Sequence, residues 1–151
     1  MEIAVDDLSS TEIAEFLADH LAQMRSTTPL ASKHALDLEA LRQPDITVWA
    51  AKQDGVLVGC GALKRLADRE GEIKSMRTAP ESARTGVASR LLAHIIGEAA
   101  AEGIERLNLE TGSSAFFAPA RRLYRRFGFD FCGPFGDYRP DSHSVFMTRR
   151  L

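Results

Sequence analysis

The chain has 151 residues, of which 44% are hydrophobic and 26% charged, a composition typical of a soluble domain with one core. Its formal net charge of −2 argues against a protein that binds nucleic acid through a large basic face. The N-terminus is acidic, and no apolar run approaches the ~18 residues of a membrane span, so we expect a cytoplasmic protein with no membrane partner. Cys60 and Cys132 have no metal-ligand spacing, which indicates free buried thiols and no metal site.

The elements predicted in chain order begin with a helix over residues 9–25. Ser9 and Glu12 stand at capping-box spacing, and the apolar residues recur on one helical face: Ile13, Phe16, Leu17, Leu21 and Met24. A proline-led loop and a short helical pattern follow over residues 26–45. Three β-rich runs come next, at 46–52, 56–66 and 71–79, and Asp54-Gly55 predicts a hairpin turn between the first two. We expect these strands to form one antiparallel sheet.

The second half of the chain alternates helices and strands. Residues 87–102 have an amphipathic helical pattern that ends at Gly103, placed as a C′ glycine. A strand is predicted at 104–110, a helix over 117–127 that ends at Gly128, and a last strand at 144–151. The order helix, helix, three strands, helix, strand, helix, strand describes an α/β fold with a mixed central sheet flanked by helices. We expect a single domain over residues 1–151.

A loop of small residues joins the third predicted strand to the following helix, in the stretch RTAPESARTGVAS. It lacks the GxxxxGK[ST] nucleotide loop, and the nearest dinucleotide fingerprint, at 59–64, lacks its third glycine and lies within a strand. What remains is a set of backbone N–H groups at a helix N-terminus, where Gly86 and Ala88 leave room for a phosphate. Small residues at a helix start also serve helix–sheet packing, so the loop alone leaves both interpretations open.

Two motifs appear in order in the second half of the chain. The first is Thr78-Ala79-Pro80 followed by the loop of residues 83–88, and the second is Ala-x-x-Leu-Tyr-x-x-x-Gly-Phe over residues 120–129. Read together, they resemble the GCN5-related N-acetyltransferase (GNAT) family and a bacterial subgroup of acetyltransferases within it. The resemblance implies direct transfer of an acetyl group from acetyl-CoA to a primary amine. The residues that it places at the coenzyme are Met76, Arg77, Thr78, Arg84, Thr85, Gly86, Val87, Ala88, Ser89, Phe117 and Arg121.

Two positions depart from the family pattern. Ala83 stands where the family usually has arginine or glutamine, and we expect Arg84 to supply the missing charge at the coenzyme pyrophosphate. Phe117 replaces an asparagine that is common in relatives, so an apolar wall replaces a hydrogen bond. These departures leave a second function open, a regulatory module that binds acyl-CoA without turning it over.

The resemblance assigns Tyr124 as the general acid. Its reference pKa near 10 keeps it protonated at neutral pH, so it can donate a proton to the leaving thiolate. The alternative interpretation is a packed helix tyrosine. The general base stays open among Glu110, Glu72 and a water chain, since each carboxylate also fits a solvated strand end.

The acceptor is expected to be a small-molecule or peptide amine. No motif identifies it, because the family chooses its acceptors with loops, here residues 26–45 and 133–143. His34, in the first of these loops, is predicted to line the acceptor pocket. The sequence leaves the oligomeric state open, with a homodimer as one alternative.

Overall fold

The computed structural model describes residues 1–27 and 38–151. Its strands are β1 (Glu2–Asp6), β2 (Ile46–Gln53), β3 (Val56–Arg65), β4 (Glu70–Thr78), β5 (Arg106–Gly112), β6 (Asp130–Cys132) and β7 (Ser144–Arg150). Its α-helices are α1 (Thr11–Thr27), α2 (Leu38–Leu41), α3 (Val87–Ala101) and α4 (Ala118–Arg126).

In this part of the chain the strands form one sheet in the order β1-β2-β3-β4-β5-β7-β6. Strands β4 and β5 are parallel, and every other neighbouring pair is antiparallel. The α/β fold with a mixed central sheet flanked by helices is therefore confirmed. None of the helices in residues 1–27 and 38–151 combines the length and apolar character that crossing a bilayer requires.

Two hydrophobic cores lie on opposite faces of the sheet. Along β2, Trp49 and Ala51 belong to the core that α3 and α4 cover, whereas Val48 and Ala50 belong to the core under α1 and α2. This alternation follows from the two-residue period of a strand. The face that α1 and α2 leave open over β4, β5 and β7 is the one that carries most of the polar side chains discussed below.

The N-terminus of α1 differs from the predicted capping box. The hydroxyl of Ser10, not Ser9, accepts the N–H of Ile13 at 3.2 Å. The Ser9 hydroxyl instead donates to the Asp7 carboxylate at 2.6 Å, and that carboxylate also accepts the Ser9 N–H at 3.0 Å. Asp7 therefore takes Ser9 out of the capping position and moves the helix start by one residue.

The predicted element order missed two strands, β1 and β6. Both lie at sheet edges and bury little apolar surface: Val5 of β1 is 67% exposed and Phe131 of β6 is 56% exposed. Without a buried face there is no hydrophobic alternation to read from the sequence. The predicted hairpin turn is confirmed, with positive φ angles of 52° at Asp54 and 78° at Gly55.

Candidate active site

The parallel strands β4 and β5 part halfway along their length. Their paired residues run from Glu70 opposite Arg106 to Ile73 opposite Leu109, and the remaining residues of both strands have no partner across this gap. The two strands therefore form a cleft that is closed at Ile73 and open beyond it. The backbone groups of β4 that face the cleft are free of β5 and can bind a ligand that enters there.

A β-bulge lies in β4 where the cleft begins. Cys60 of β3 pairs with Arg77 and Ala62 pairs with Lys74, so Gly61 alone faces two residues of β4. The bulge bends β4 away from β5. It directs Met76 toward α3, where its sulfur would lie 2.6 Å from a Cβ placed on Gly61, so a larger residue at Gly61 would have to displace the Met76 side chain.

Residues 76–78, which the resemblance places at the coenzyme, begin within this bulge. The Arg77 side chain turns toward α1, and its guanidinium carbon lies 5.9 Å from the ring centre of Phe16. The Met76 side chain packs against the core under α3. Because the Met76 and Arg77 side chains have partners outside the cleft, these two residues can present their backbone to it.

The N-terminus of α3 has no side-chain cap within the described chain. Gly86 is the N-cap residue with φ of 90°, and a Cβ built on it would meet nothing within 4 Å. The first i→i−4 bond of the helix is the Arg90 N–H to the Gly86 carbonyl, at 3.1 Å. The N–H groups of the first turn are therefore open to an anion, which the helix dipole also favours.

Thr85 and Val87, which are also predicted to contact the coenzyme, hold the loop and the start of α3 in place. The Thr85 hydroxyl donates to the Ser82 carbonyl, which fastens the loop. Val87 is buried, and its side chain would lie 2.8 Å from a Cβ on Gly59. Arg84 is exposed with φ of 62°, while Ala88 and Ser89 are half-buried.

Phe117 and Arg121 contact the end of β5 and the turn that follows it. The Phe117 ring packs so closely on Gly112 that a Cβ on Gly112 would lie 2.0 Å from the ring. Nη1 of Arg121 donates to the Gly112 carbonyl at 2.7 Å and to the Ser114 carbonyl at 2.9 Å. Both side chains thus fix the turn between β5 and α4, and Arg121 keeps its remaining N–H groups for another partner.

Tyr124 is buried on α4, with its ring in an edge contact with Phe129 at 5.9 Å between centroids. Burial raises the pKa of the Tyr124 hydroxyl above its usual value, because the phenolate would lose its hydration. No hydrogen bond joins the Tyr124 hydroxyl to a side chain or backbone group that the structure describes. The raised pKa favours the neutral phenol form of Tyr124.

Glu72, the first of the two candidate bases, belongs to a buried polar cluster on the face opposite α3. Its Oε2 accepts the Lys74 ammonium at 2.9 Å and the Tyr138 hydroxyl at 2.6 Å, and Lys74 also donates to that hydroxyl at 2.9 Å. The Glu72 and Lys74 side chains are 5% and 8% exposed. Burial and the Glu72 charge raise the pKa of Tyr138 above its usual value, so its hydroxyl keeps its proton.

Both hydrogen bonds to Glu72 end on the same oxygen. Oε1 makes no contact of this kind within the described residues. Glu110, the other candidate base, accepts the Ser144 hydroxyl on its Oε2 at 2.8 Å.

A cavity of about 580 Å³ lies over Glu72 and Lys74; we call it the loop cavity. Its lining comprises Lys64, Leu66, Glu72, Lys74 and residues 135–141. Phe135, Tyr138 and Phe146 contact one another edge to face or tilted, with centroids 5.1 to 5.9 Å apart, and so hold the loop of residues 133–143 against the sheet. This loop was predicted to select the acceptor, and here it forms one wall of the loop cavity.

The sequence interpretation missed Lys74 and Tyr138. Lys74 stands two residues after Glu72 on one strand, and this spacing places both side chains on the same face. Their contact could therefore have been predicted from the sequence. Tyr138 lies in a loop without periodicity, and no sequence signal connects it with Glu72, which is 66 residues away. His34 lies outside the described residues, and no group of three His, Cys, Asp or Glu side chains among the described ones is placed to hold a metal ion.

Comparison with known proteins identifies relatives over the whole length. Residues 11–129 match the profile of the acetyltransferase (GNAT) family. The chain is 53% identical over 151 residues to the uncharacterized N-acetyltransferase YsnE of Bacillus subtilis (strain 168), covering 100% of both. It is 45% identical over 149 residues to the uncharacterized N-acetyltransferase YedL of Escherichia coli (strain K12), covering 99% of this chain and 94% of YedL.

Solved structures share the fold. An acyl-CoA N-acyltransferase from Klebsiella pneumoniae superposes with a TM-score of 0.80 at 27% identity, over 99% of this chain and 97% of its own. N-acetylglutamate synthase from Neisseria gonorrhoeae, solved with coenzyme A and N-acetyl-glutamate, superposes with a TM-score of 0.70 at 25% identity. That match covers 100% of this chain and 35% of the synthase.

Proposed function

The chain belongs to the acetyltransferase (GNAT) family, and on that basis we propose that it transfers an acetyl group from acetyl-CoA directly to a primary amine. The observation that carries this proposal is the cleft between β4 and β5, which has the uncapped N-terminus of α3 beside it. The whole of residues 1–151 acts as one acyl-CoA N-acyltransferase domain in the cytoplasm. Its partner is a small-molecule or peptide amine.

Coenzyme A binds in this proposal with its pyrophosphate at the N-terminus of α3. The open N–H groups of residues 86–89 donate to the phosphate oxygens, and the open space beside Gly86 admits them. Arg84, exposed at the same loop, supplies the charge that Ala83 lacks. Phe117 offers an apolar wall, and the free N–H groups of Arg121 reach the 3′-phosphate.

The acetyl group then lies where β4 leaves β5. The amine loses a proton to a base, its nitrogen attacks the thioester carbonyl carbon, and a C–N bond forms. A backbone N–H of residues 76–78 holds the oxyanion. The C–S bond breaks, Tyr124 donates its proton to the sulfur, and the second proton of the nitrogen restores the Tyr124 hydroxyl. The products are the acetamide and free coenzyme A, with one proton released through the base.

Glu72 is the preferred base. Because Lys74 and Tyr138 both hold Oε2, Oε1 is left to accept a proton from the amine. Glu72 also lies one residue before the last β4–β5 pair, so its side chain stands at the closed end of the cleft. Glu110 and a water chain are the alternatives, and Glu110 is already bound by Ser144 through one oxygen.

A thiol-release assay tests the proposal. Purified protein is mixed with acetyl-CoA and a panel of primary amines, free thiol is followed by its colour reaction, and the acetamide is identified by mass spectrometry. Amine-dependent release of one thiol per acetamide is expected. Calorimetric binding of acetyl-CoA without thiol release for any amine would instead support the regulatory module and contradict the transferase.

A further inference from the structure

The loop cavity lies next to the point where the acetyl group is proposed to react. Ile73 belongs to the core under α3, so Glu72 and Lys74, its neighbours on β4, point to the opposite face and form the cavity floor. The last β4–β5 pair is Ile73 with Leu109. The cavity floor therefore borders the closed end of the cleft, and an amine in the cavity can face a thioester in the cleft.

One end of the cavity floor suits an ammonium group. Oε1 of Glu72 has no hydrogen-bond partner within the described residues, while Oε2 is fixed by Lys74 and Tyr138. A buried carboxylate held in this way has a defined direction in which it can accept another hydrogen bond. That direction is open for the amine of an acceptor.

The adjacent position suits a carboxylate group. Lys64 of β3 is paired in register with Glu72, so the two side chains stand side by side on one face with Cβ atoms about 5 Å apart. Lys64 is half-buried and forms no hydrogen bond or ion pair within the described part of the chain. Arg139 lines the same cavity and is likewise without an ion-pair partner among the described residues.

The charges of the lining favour a ligand without net charge. Among the residues that the structure describes, the lining carries three cationic side chains, Lys64, Lys74 and Arg139, and three anionic ones, Glu72, Asp137 and Asp141. A ligand with an excess of either sign would leave the cavity with an uncompensated charge, whereas a zwitterion matches both groups at once.

We propose that the loop cavity is the acceptor site and that the acceptor is a free amino acid. Its ammonium group binds Oε1 of Glu72 and its carboxylate binds Lys64, with Arg139 at the wall. The cavity volume of about 580 Å³ leaves room for a side chain against the rings of Phe135 and Tyr138. This inference rests on the proposed function and adds the substrate class to it.

Matched acceptors test the carboxylate contact. L-alanine, L-leucine, L-phenylalanine and L-methionine are each compared with the α-amide and the decarboxylated amine of the same skeleton, with acetyl-CoA and thiol release as the readout. At least one free amino acid is expected to have kcat/KM about 10- to 100-fold above its two analogues, since both lack the charge that Lys64 binds.

Two lysine variants sharpen the test. Lys64→Gln is expected to lower kcat/KM for the preferred amino acid about tenfold, mainly through KM, and to leave its amide unchanged. Lys52→Gln removes the same charge from an exposed site at the far end of β2 and is expected to change neither. Lys64→Arg keeps the charge and is expected to retain most of the preference.

The outcomes separate this inference from the function on which it rests. Amides or decarboxylated amines that are acetylated as well as the amino acids, or an equal loss for all acceptors in Lys64→Gln, would overturn the amino-acid site and leave the transferase intact. If none of the twelve compounds nor any other amine releases thiol from bound acetyl-CoA, the proposed function and this inference both fail.

Discussion

The chain contains two tyrosines, and the same substitution at each is predicted to have opposite consequences. Tyr138→Phe removes a hydroxyl that donates to Glu72 at 2.6 Å and accepts from Lys74 at 2.9 Å, in surroundings where both charged side chains are less than a tenth exposed. Hydrogen bonds to charged groups contribute roughly 1.5–3 kcal/mol each. Because the Lys74–Glu72 pair remains, we expect a net loss of about 2–4 kcal/mol in the free energy of unfolding.

This loss is measurable as a melting temperature. For a domain of this size, 1 kcal/mol corresponds to about 2–4 °C, so a loss of about 2–4 kcal/mol in Tyr138→Phe should lower Tm by about 4–16 °C in differential scanning calorimetry. Tyr124→Phe is the matched control, because its hydroxyl makes no hydrogen bond within the described residues and only the ring packs. Its Tm is expected to stay within about 2 °C of the wild type.

Turnover, in contrast, is predicted to fall in Tyr124→Phe. General acid catalysis contributes ~10²- to 10⁴-fold, so Tyr124→Phe should lower kcat by that factor and leave KM for acetyl-CoA unchanged. Equal melting temperatures for the two variants would refute the buried network around Tyr138. Wild-type kcat in Tyr124→Phe, under conditions where chemistry limits the rate, would return that residue to a packing role.

Three further predictions concern the coenzyme loop and the thiols. Gly86→Glu should abolish binding of coenzyme A in calorimetry, because the glutamate side chain would fill the phosphate position and its charge would repel the phosphate. Gly97→Glu, on an open side of the same helix, should leave binding unchanged. Retained affinity in a folded Gly86→Glu protein would contradict the phosphate position proposed here. Arg84→Ala should weaken coenzyme binding by about 1–2 kcal/mol, and no change would mean that backbone donors suffice. Burial raises the pKa of Cys60 to about 12, so at pH 8 a thiol reagent should label Cys132 alone in the native protein and both residues in guanidinium; rapid labelling of Cys60 would contradict its burial.

The main elements could be predicted because their patterns are tied to burial. The helix over 87–101 has five buried positions at helical spacing, and strands β2 and β3 are joined by a dipeptide that specifies their turn. Strands β1 and β6 could not be predicted, since their pairing depends on the backbone of neighbours rather than on an apolar face of their own. The cap of α1 shifted to Ser10 because Asp7 competes for Ser9, a contact that capping-box spacing does not contain.

The residues of the candidate site also fall into two groups, those that a local motif reveals and those that only tertiary packing brings together. Gly86, Tyr124 and the strand before the loop could be predicted as site residues because two local motifs contain them. The cluster of Glu72, Lys74 and Tyr138 depends on a contact between β4 and a loop 64 residues later, and its geometry comes only from tertiary packing. Cys132 also departs from expectation: it is only half-buried, since it belongs to β6, an edge strand that pairs with β7 alone.

The structure of the protein crystallised with coenzyme A tests the account most directly. We predict that the pyrophosphate oxygens lie about 2.7–3.2 Å from N–H groups of residues 86–89. We further predict that the sulfur lies between β4 and β5, within about 3.5 Å of the Tyr124 hydroxyl and facing the loop cavity. A coenzyme bound outside the cleft, or a sulfur that Tyr124 cannot reach, would contradict the proposed transfer.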